Sequence, residues 1–167
     1  MCGNWLFQAF APTHRRVNAG LCETSACKKV KDMKKAKIVT IDDDPDILDV
    51  LRIALEANQY EIHAASSGAE GLKVIKQVHP DLIILDVMMD TVTEGFHVSY
   101  ELRNQDPKSE YREFSKVPII MLTSISQKTG MKFSPEKDGE YLPIDEFVEK
   151  PLRVESLLEK VKNLLSR

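Results

Sequence analysis

Residues able to act together on a phosphoryl group stand just after short apolar segments of this chain. Asp42, Asp43 and Asp44 follow Lys37-Ile38-Val39-Thr40-Ile41, and Asp86 follows Leu82-Ile83-Ile84-Leu85. Thr123 and Ser124 follow the run from Val117 to Leu122, and Lys150-Pro151 follows Glu146 to Glu149. Clustered carboxylates repel one another unless a cation joins them. Mg2+ suits such a cluster, with Mn2+ as a substitute, because it takes hard oxygen ligands and keeps several waters. A divalent ion also offsets charge on phosphoryl oxygens during transfer. One carboxylate is then free to attack phosphorus and form an acyl phosphate. A lysine can pair with that carboxylate, and a threonine hydroxyl can donate to a phosphoryl oxygen. Singly, each residue has a plainer reading: the acids as turns or helix caps, Thr123 as a turn hydroxyl, Lys150 as a solvated charge. The set makes Asp86 the candidate nucleophile.

What must position these residues is an alternation of strands and helices. Lys37–Ile41 is β-branched and stops in acids. Asp44 then caps a helix with Pro45 in its first turn, and Ile47, Val50, Leu51, Ala54 and Leu55 follow at helical spacing. Tyr60 to Ala64 reads as a second strand. Ser67 caps a second helix with Ala69, Leu72 and Ile75 inward, and His79-Pro80 ends it. Leu82–Leu85 lacks alternation, as a strand covered on both faces does. A third helix is expected over Phe96–Asn104, further strands over Val117–Leu122 and Glu146–Glu149, and a last amphipathic helix over Val154–Leu165. This is an α/β pattern: a flavodoxin-like, three-layer fold with a five-stranded parallel sheet of order 2-1-3-4-5 and helices on both faces. That order brings the ends of the first, third, fourth and fifth strands to one crevice. Between the fourth and fifth strands, Gly130, Pro135, Gly139 and Pro143 predict a short or irregular fourth helix. Asp106–Lys116 is a charged insertion.

Charge is unevenly placed. Residues 1–35 hold seven Lys/Arg and two Asp/Glu, whereas residues 36–167 hold 16 and 24. The first segment reads as a flexible basic extension, with residues 1–32 either a disordered extension or an upstream misassigned start, since Met33-Lys34-Lys35 directly precedes a strand. The acidic remainder argues against direct nucleic-acid binding. Three cysteines, Cys2, Cys22 and Cys27, make neither a disulfide framework nor a paired zinc motif. His14, His63, His79 and His97 show no metal spacing. No apolar run approaches the roughly 20 residues of a membrane span, and a cytoplasmic location with no membrane insertion is expected.

Four motifs in order carry a family resemblance: Ile41-Asp42-Asp43-Asp44-Pro45, Pro80-Asp81-Leu82-Ile83-Ile84-Leu85-Asp86-Val87-Met88-Met89, Pro118 to Ser124, and Phe147-Val148-Glu149-Lys150-Pro151. Together they resemble the receiver domain of two-component response regulators, over residues 36–167. The resemblance implies that Asp86 accepts phosphate from a sensor histidine kinase or histidine phosphotransfer protein. It implies a metal site of Asp42, Asp43, Asp86 and the Met88 backbone carbonyl, with Asp43 a direct ligand. It makes Thr123 the switch hydroxyl, Lys150 the ion-pair cation and Phe147 the aromatic switch, and it implies a cis Lys150-Pro151 bond. Phe147 also reads as ordinary strand packing.

The chain departs from the family pattern at Met89-Asp90, where Met-Pro is usual, and in Gly95, which comes one residue late. The loop over the site is therefore longer. Its Asp90 and Glu94 read first as solvated acids, and second as groups that tune metal affinity or phosphoryl lifetime. No output segment follows the last helix, so a stand-alone receiver is expected, monomeric or weakly dimeric, acting through protein contact. The competing readings are a haloacid-dehalogenase-like phosphatase with Asp42 as nucleophile, suggested by Asp42-Asp43-Asp44, and a docking module independent of phosphorylation.

Overall fold

The computed structural model describes residues 35–89, 91, 94–124 and 144–166. Strands β1 (Lys37–Ile41), β2 (Glu61–Ala65), β3 (Leu82–Asp86), β4 (Ile119–Thr123) and β5 (Glu146–Glu149) form one sheet. Its order is β2-β1-β3-β4-β5, and every pairing is parallel. The helices are α1 (Pro45–Glu56), α2 (Gly68–Val78), α3 (Glu94–Arg103) and α4 (Val154–Leu165). This is the flavodoxin-like order expected from the strand–helix alternation. The expected irregular helix between β4 and β5, and the basic segment before residue 35, lie outside the described residues.

Strand alternation sorts the core into two layers. Val39, Ile41, Ile83, Leu85, Ile119 and Met121 meet Ile75 of α2 and Val98 and Leu102 of α3. Ile38, Leu82, Ile84, Ile120, Leu122 and Val148 meet Leu51 and Leu55 of α1 and Leu157, Val161 and Leu164 of α4. With both faces covered, β3 and β4 are buried at every residue, the physical reason their sequences run apolar without alternation.

Local signals set the helix ends. The Asp44 carboxylate accepts from the Asp46 N–H, and Pro45 occupies the first turn of α1. Ser67 caps α2 by accepting from the Glu70 N–H. His79 ends α2 in the left-handed region at φ 52°, ahead of Pro80. Several boundaries differ from expectation: β2 and β4 begin one and two residues later, β2, β3 and β4 each end one residue later, and α3 runs from Glu94 to Arg103. Ala69, expected inward, is exposed, and Gly68 and Gly71 lie on the buried face of α2 instead.

The insertion is folded onto the domain rather than looped out. Phe114, in a single 3-10 turn (Arg112–Phe114), is buried in the α2–α3 layer and meets the His79 ring edge-on at 5.4 Å. Tyr111 packs against the same layer, with the Lys76 ammonium over its ring.

Candidate functional site

Register decides which side chains share the crevice. Ile41 pairs with Leu85, so Asp42 leaves the sheet beside Asp86. Thr123 pairs with Glu149, so Lys150 leaves it beside Thr123, and the Lys150 N–H donates to the Thr123 carbonyl at 2.8 Å. The Lys150-Pro151 bond is cis.

The charged groups meet tightly. The Lys150 ammonium lies 2.9 Å from Asp42 Oδ2 and 3.1 Å from Asp86 Oδ1. Asp42 is wholly buried and Asp86 nearly so, whereas Asp43 is exposed. Asp42 spends its other oxygen on the Asp44 N–H at 3.0 Å. Carboxylate oxygens of Asp42, Asp43 and Asp86 all lie within 4.8 Å of one another. Burial pushes the Asp86 carboxyl up to about 6; the Lys150 charge opposes the rise and the Asp42 carboxylate adds to it. Burial works against charge on Lys150, but its hydrogen bonds to Asp42 and Asp86 and their charges outweigh that, so its pKa is raised. Hard oxygen donors at this spacing fit a divalent cation. Asp43 gives that fit an exposed side through which water can complete the shell.

The remaining expected residues fall around this core. Thr123 is buried at the end of β4. Met88 is half-buried two residues past Asp86, with its sulfur near the Ser124 hydroxyl. Phe147 is half-buried on β5 and packs against the α2–α3 layer. Asp90 lies outside the described residues. Glu94 is not a solvated acid: its carboxylate accepts from the Gly68 N–H at 2.8 Å, at the start of α2. Sequence reasoning missed that partner because it lies 26 residues away with no motif to mark it.

A five-stranded parallel sheet carrying an acidic trio and a lysine at its carboxyl edge defines the class, and the comparisons agree. The response regulator receiver domain family matches residues 38–162, and the chain belongs to that family. Among curated relatives it is 34% identical over 131 residues to the DNA-binding dual master transcriptional regulator RpaA of Synechocystis, across 78% of this chain and 49% of that protein. The chain spans about half the length of the curated relatives it matches. Among solved structures, a response regulator from Chloroflexus aurantiacus superposes with TM-score 0.66 at 29% identity, covering 80% of this chain and all of that one. Vibrio cholerae chemotaxis protein CheY4 superposes with TM-score 0.63 at 29% identity, covering 78% and 98%. These relatives are signalling proteins and not enzymes in the ordinary sense, which overturns the phosphatase reading. The geometry agrees, since both Asp42 oxygens are engaged, one by the Lys150 ammonium and the other by the Asp44 N–H. Among the described residues, no helix is long and apolar enough to cross a membrane.

Proposed function

We propose that this receiver is switched by phosphorylation of Asp86, with a sensor histidine kinase or histidine phosphotransfer protein as donor. The observation that carries the reading is the shared ammonium: Lys150 bridges Asp42 and Asp86 inside an acidic trio suited to a metal. Asp42, Asp43, Asp86 and the Met88 carbonyl would hold Mg2+, or Mn2+ in its place. The bound ion would offset the charge gathered on the phosphoryl oxygens.

An Asp86 carboxylate oxygen forms the bond to phosphorus while the P–N bond of a phosphohistidine breaks. The electron pair of that bond returns to the donor's imidazole. Asp86 is the trio's member suited to attack, because Asp42 is committed to Lys150 and the Asp44 N–H. Lys150 then keeps its hold on Asp42 and turns its remaining N–H bonds to the phosphoryl group. The Thr123 hydroxyl donates to a phosphoryl oxygen and is drawn inward, and the Phe147 ring follows. A shifted Thr123 carries the β4 end with it, which makes the state of Asp86 readable at the surface. Output is by protein contact from a cytoplasmic monomer or weak dimer; the acid excess of residues 36–167 supports this over direct DNA contact.

Intact mass after incubation with acetyl phosphate and Mg2+ tests the proposal. Wild type gains one phosphoryl group and Asp86→Asn gains none. An unmodified wild type under saturating donor would leave only the phosphorylation-independent docking module.

A further inference from the structure

Two contacts hold the α3 end of the stretch that follows β3. At its far end, the Gly95 N–H donates to the Val87 carbonyl at 3.2 Å. Gly95 also sits so close to the strand that a Cβ would collide with the Asp86 carbonyl oxygen and lie 2.8 Å from Val87 Cα. The first turn of α3 therefore rests directly on the backbone of the acceptor. The neighbouring Glu94 reaches the other way and accepts from the Gly68 N–H. Gly68 makes room for this, since a Cβ there would stand 2.8 Å from Glu94 Oε1 and 2.7 Å from Val98 Cγ2. One orphan N–H of α2 is thus satisfied by an acceptor oxygen from another helix. The same β2–α2 junction reaches the opposite wall of the site, because the Ala65 carbonyl accepts from the Asp42 N–H at 3.2 Å.

We infer that Glu94 is a positioning residue for the cation site: with Gly95 it ties the Val87 backbone, and through it the adjoining Met88 carbonyl, to the start of α2, just beyond the β2 end whose Ala65 carbonyl accepts from the Asp42 N–H. The inference rests on the reading of the acidic trio as a divalent-cation site. Glu94 touches neither the cation nor the phosphoryl group in this role. What matters is its reach and its acceptor oxygen, not its charge. Two substitutions separate these properties. Glu94→Gln keeps the reach and an acceptor oxygen without the charge. Glu94→Asp keeps the charge but is one methylene too short.

The test is calorimetric titration of the full chain with Mg2+, alongside urea unfolding and the amide resonance of Gly68 in metal-free protein. Glu94→Asp and Glu94→Ala should each weaken Mg2+ binding by roughly tenfold, the lower end of what outer groups contribute to metal affinity. Both should shift the Gly68 amide. Glu94→Gln should bind within about twofold of wild type, the residual being the weaker acceptor. Ser67→Ala removes the other cap of the same helix, and should lower the urea midpoint without changing Mg2+ affinity. The inference is overturned if Glu94→Asp binds as wild type does while Glu94→Gln does not, since charge would then be the operative property. It is also overturned if Ser67→Ala weakens binding as much as Glu94→Ala, since helix stability would then explain both. A wild type that binds no Mg2+ is a different failure: it removes the cation-site reading itself.

Discussion

Replacing Asp86 with asparagine should make the metal-free protein more stable at neutral pH. In the folded chain the Asp86 carboxyl is raised from its ordinary 3.8 to about 6 by burial, even with Lys150 beside it. The folded state therefore holds this proton more tightly than the unfolded state does. The stability linked to Asp86 is full below about pH 4 and is lost as pH rises through about 6. At pH 7.5 the ionised group, after allowance for screening by the solvent that reaches the crevice, costs on the order of 2 kcal/mol relative to a neutral one. Asparagine keeps the shape and can still accept from Lys150, which retains Asp42. Urea unfolding in EDTA should place Asp86→Asn about 2 kcal/mol above wild type at pH 7.5, and level with it near pH 4. Saturating Mg2+ should close the gap from the other side, because an ion at a hundred times its Kd stabilises wild type by about 2.7 kcal/mol. A variant no more stable than wild type at pH 7.5, or a gap that does not vary with pH, would refute the reasoning.

Three further perturbations act on distinct parts of the fold. The Thr40 hydroxyl is wholly buried and has no hydrogen-bond partner among the described residues. Thr40→Val should therefore raise the urea-derived stability by about 1 kcal/mol. Arg103 donates to the Ser115 and Val117 carbonyls, each at 2.8 Å, and to Asp145 at 2.6 Å, clamping the insertion's end and the lead-in to β5. Arg103→Ala should lower stability by about 3 kcal/mol in the same assay, because it leaves two carbonyls without that donor and a half-buried carboxylate with only the Ile119 N–H and no counter-ion. Gly95→Ala should lose about 2 kcal/mol, since the colliding partner is backbone that cannot swing aside. It should also slow labelling by acetyl phosphate, read as the rate of phosphoryl gain by intact mass.

The parts of this molecule that were legible beforehand are those whose cause is local. Asp44 before Pro45 marks the start of α1, and the unbroken run of Leu82–Leu85 marks a strand buried on both sides. Once the strand order followed from the alternation, the meeting of Asp42, Asp86 and Lys150 followed from where each strand stops. What stayed hidden depends on partners far apart in the chain. Glu94 looked like a surface acid because nothing near it signals that Gly68 will be its donor. Arg103 and Asp145 are 42 residues apart, and neither belongs to a motif. The insertion looked like a charged loop, yet Phe114 supplies the two-layer core with a wholly enclosed ring. A lone phenylalanine and tyrosine among its charged residues were the available signal, and polar composition masked it.

Trapping the acyl phosphate tests the role of Asp86 most directly. Protein labelled with acetyl phosphate in Mg2+ is treated with hydroxylamine, which converts an aspartyl phosphate to the hydroxamate, and its peptides are then mapped by mass. The hydroxamate should appear on Asp86 alone, and EDTA should abolish it. A hydroxamate on Asp42 or Asp43, or labelling of Asp86 that EDTA leaves unchanged, would contradict the chemistry assigned to this site.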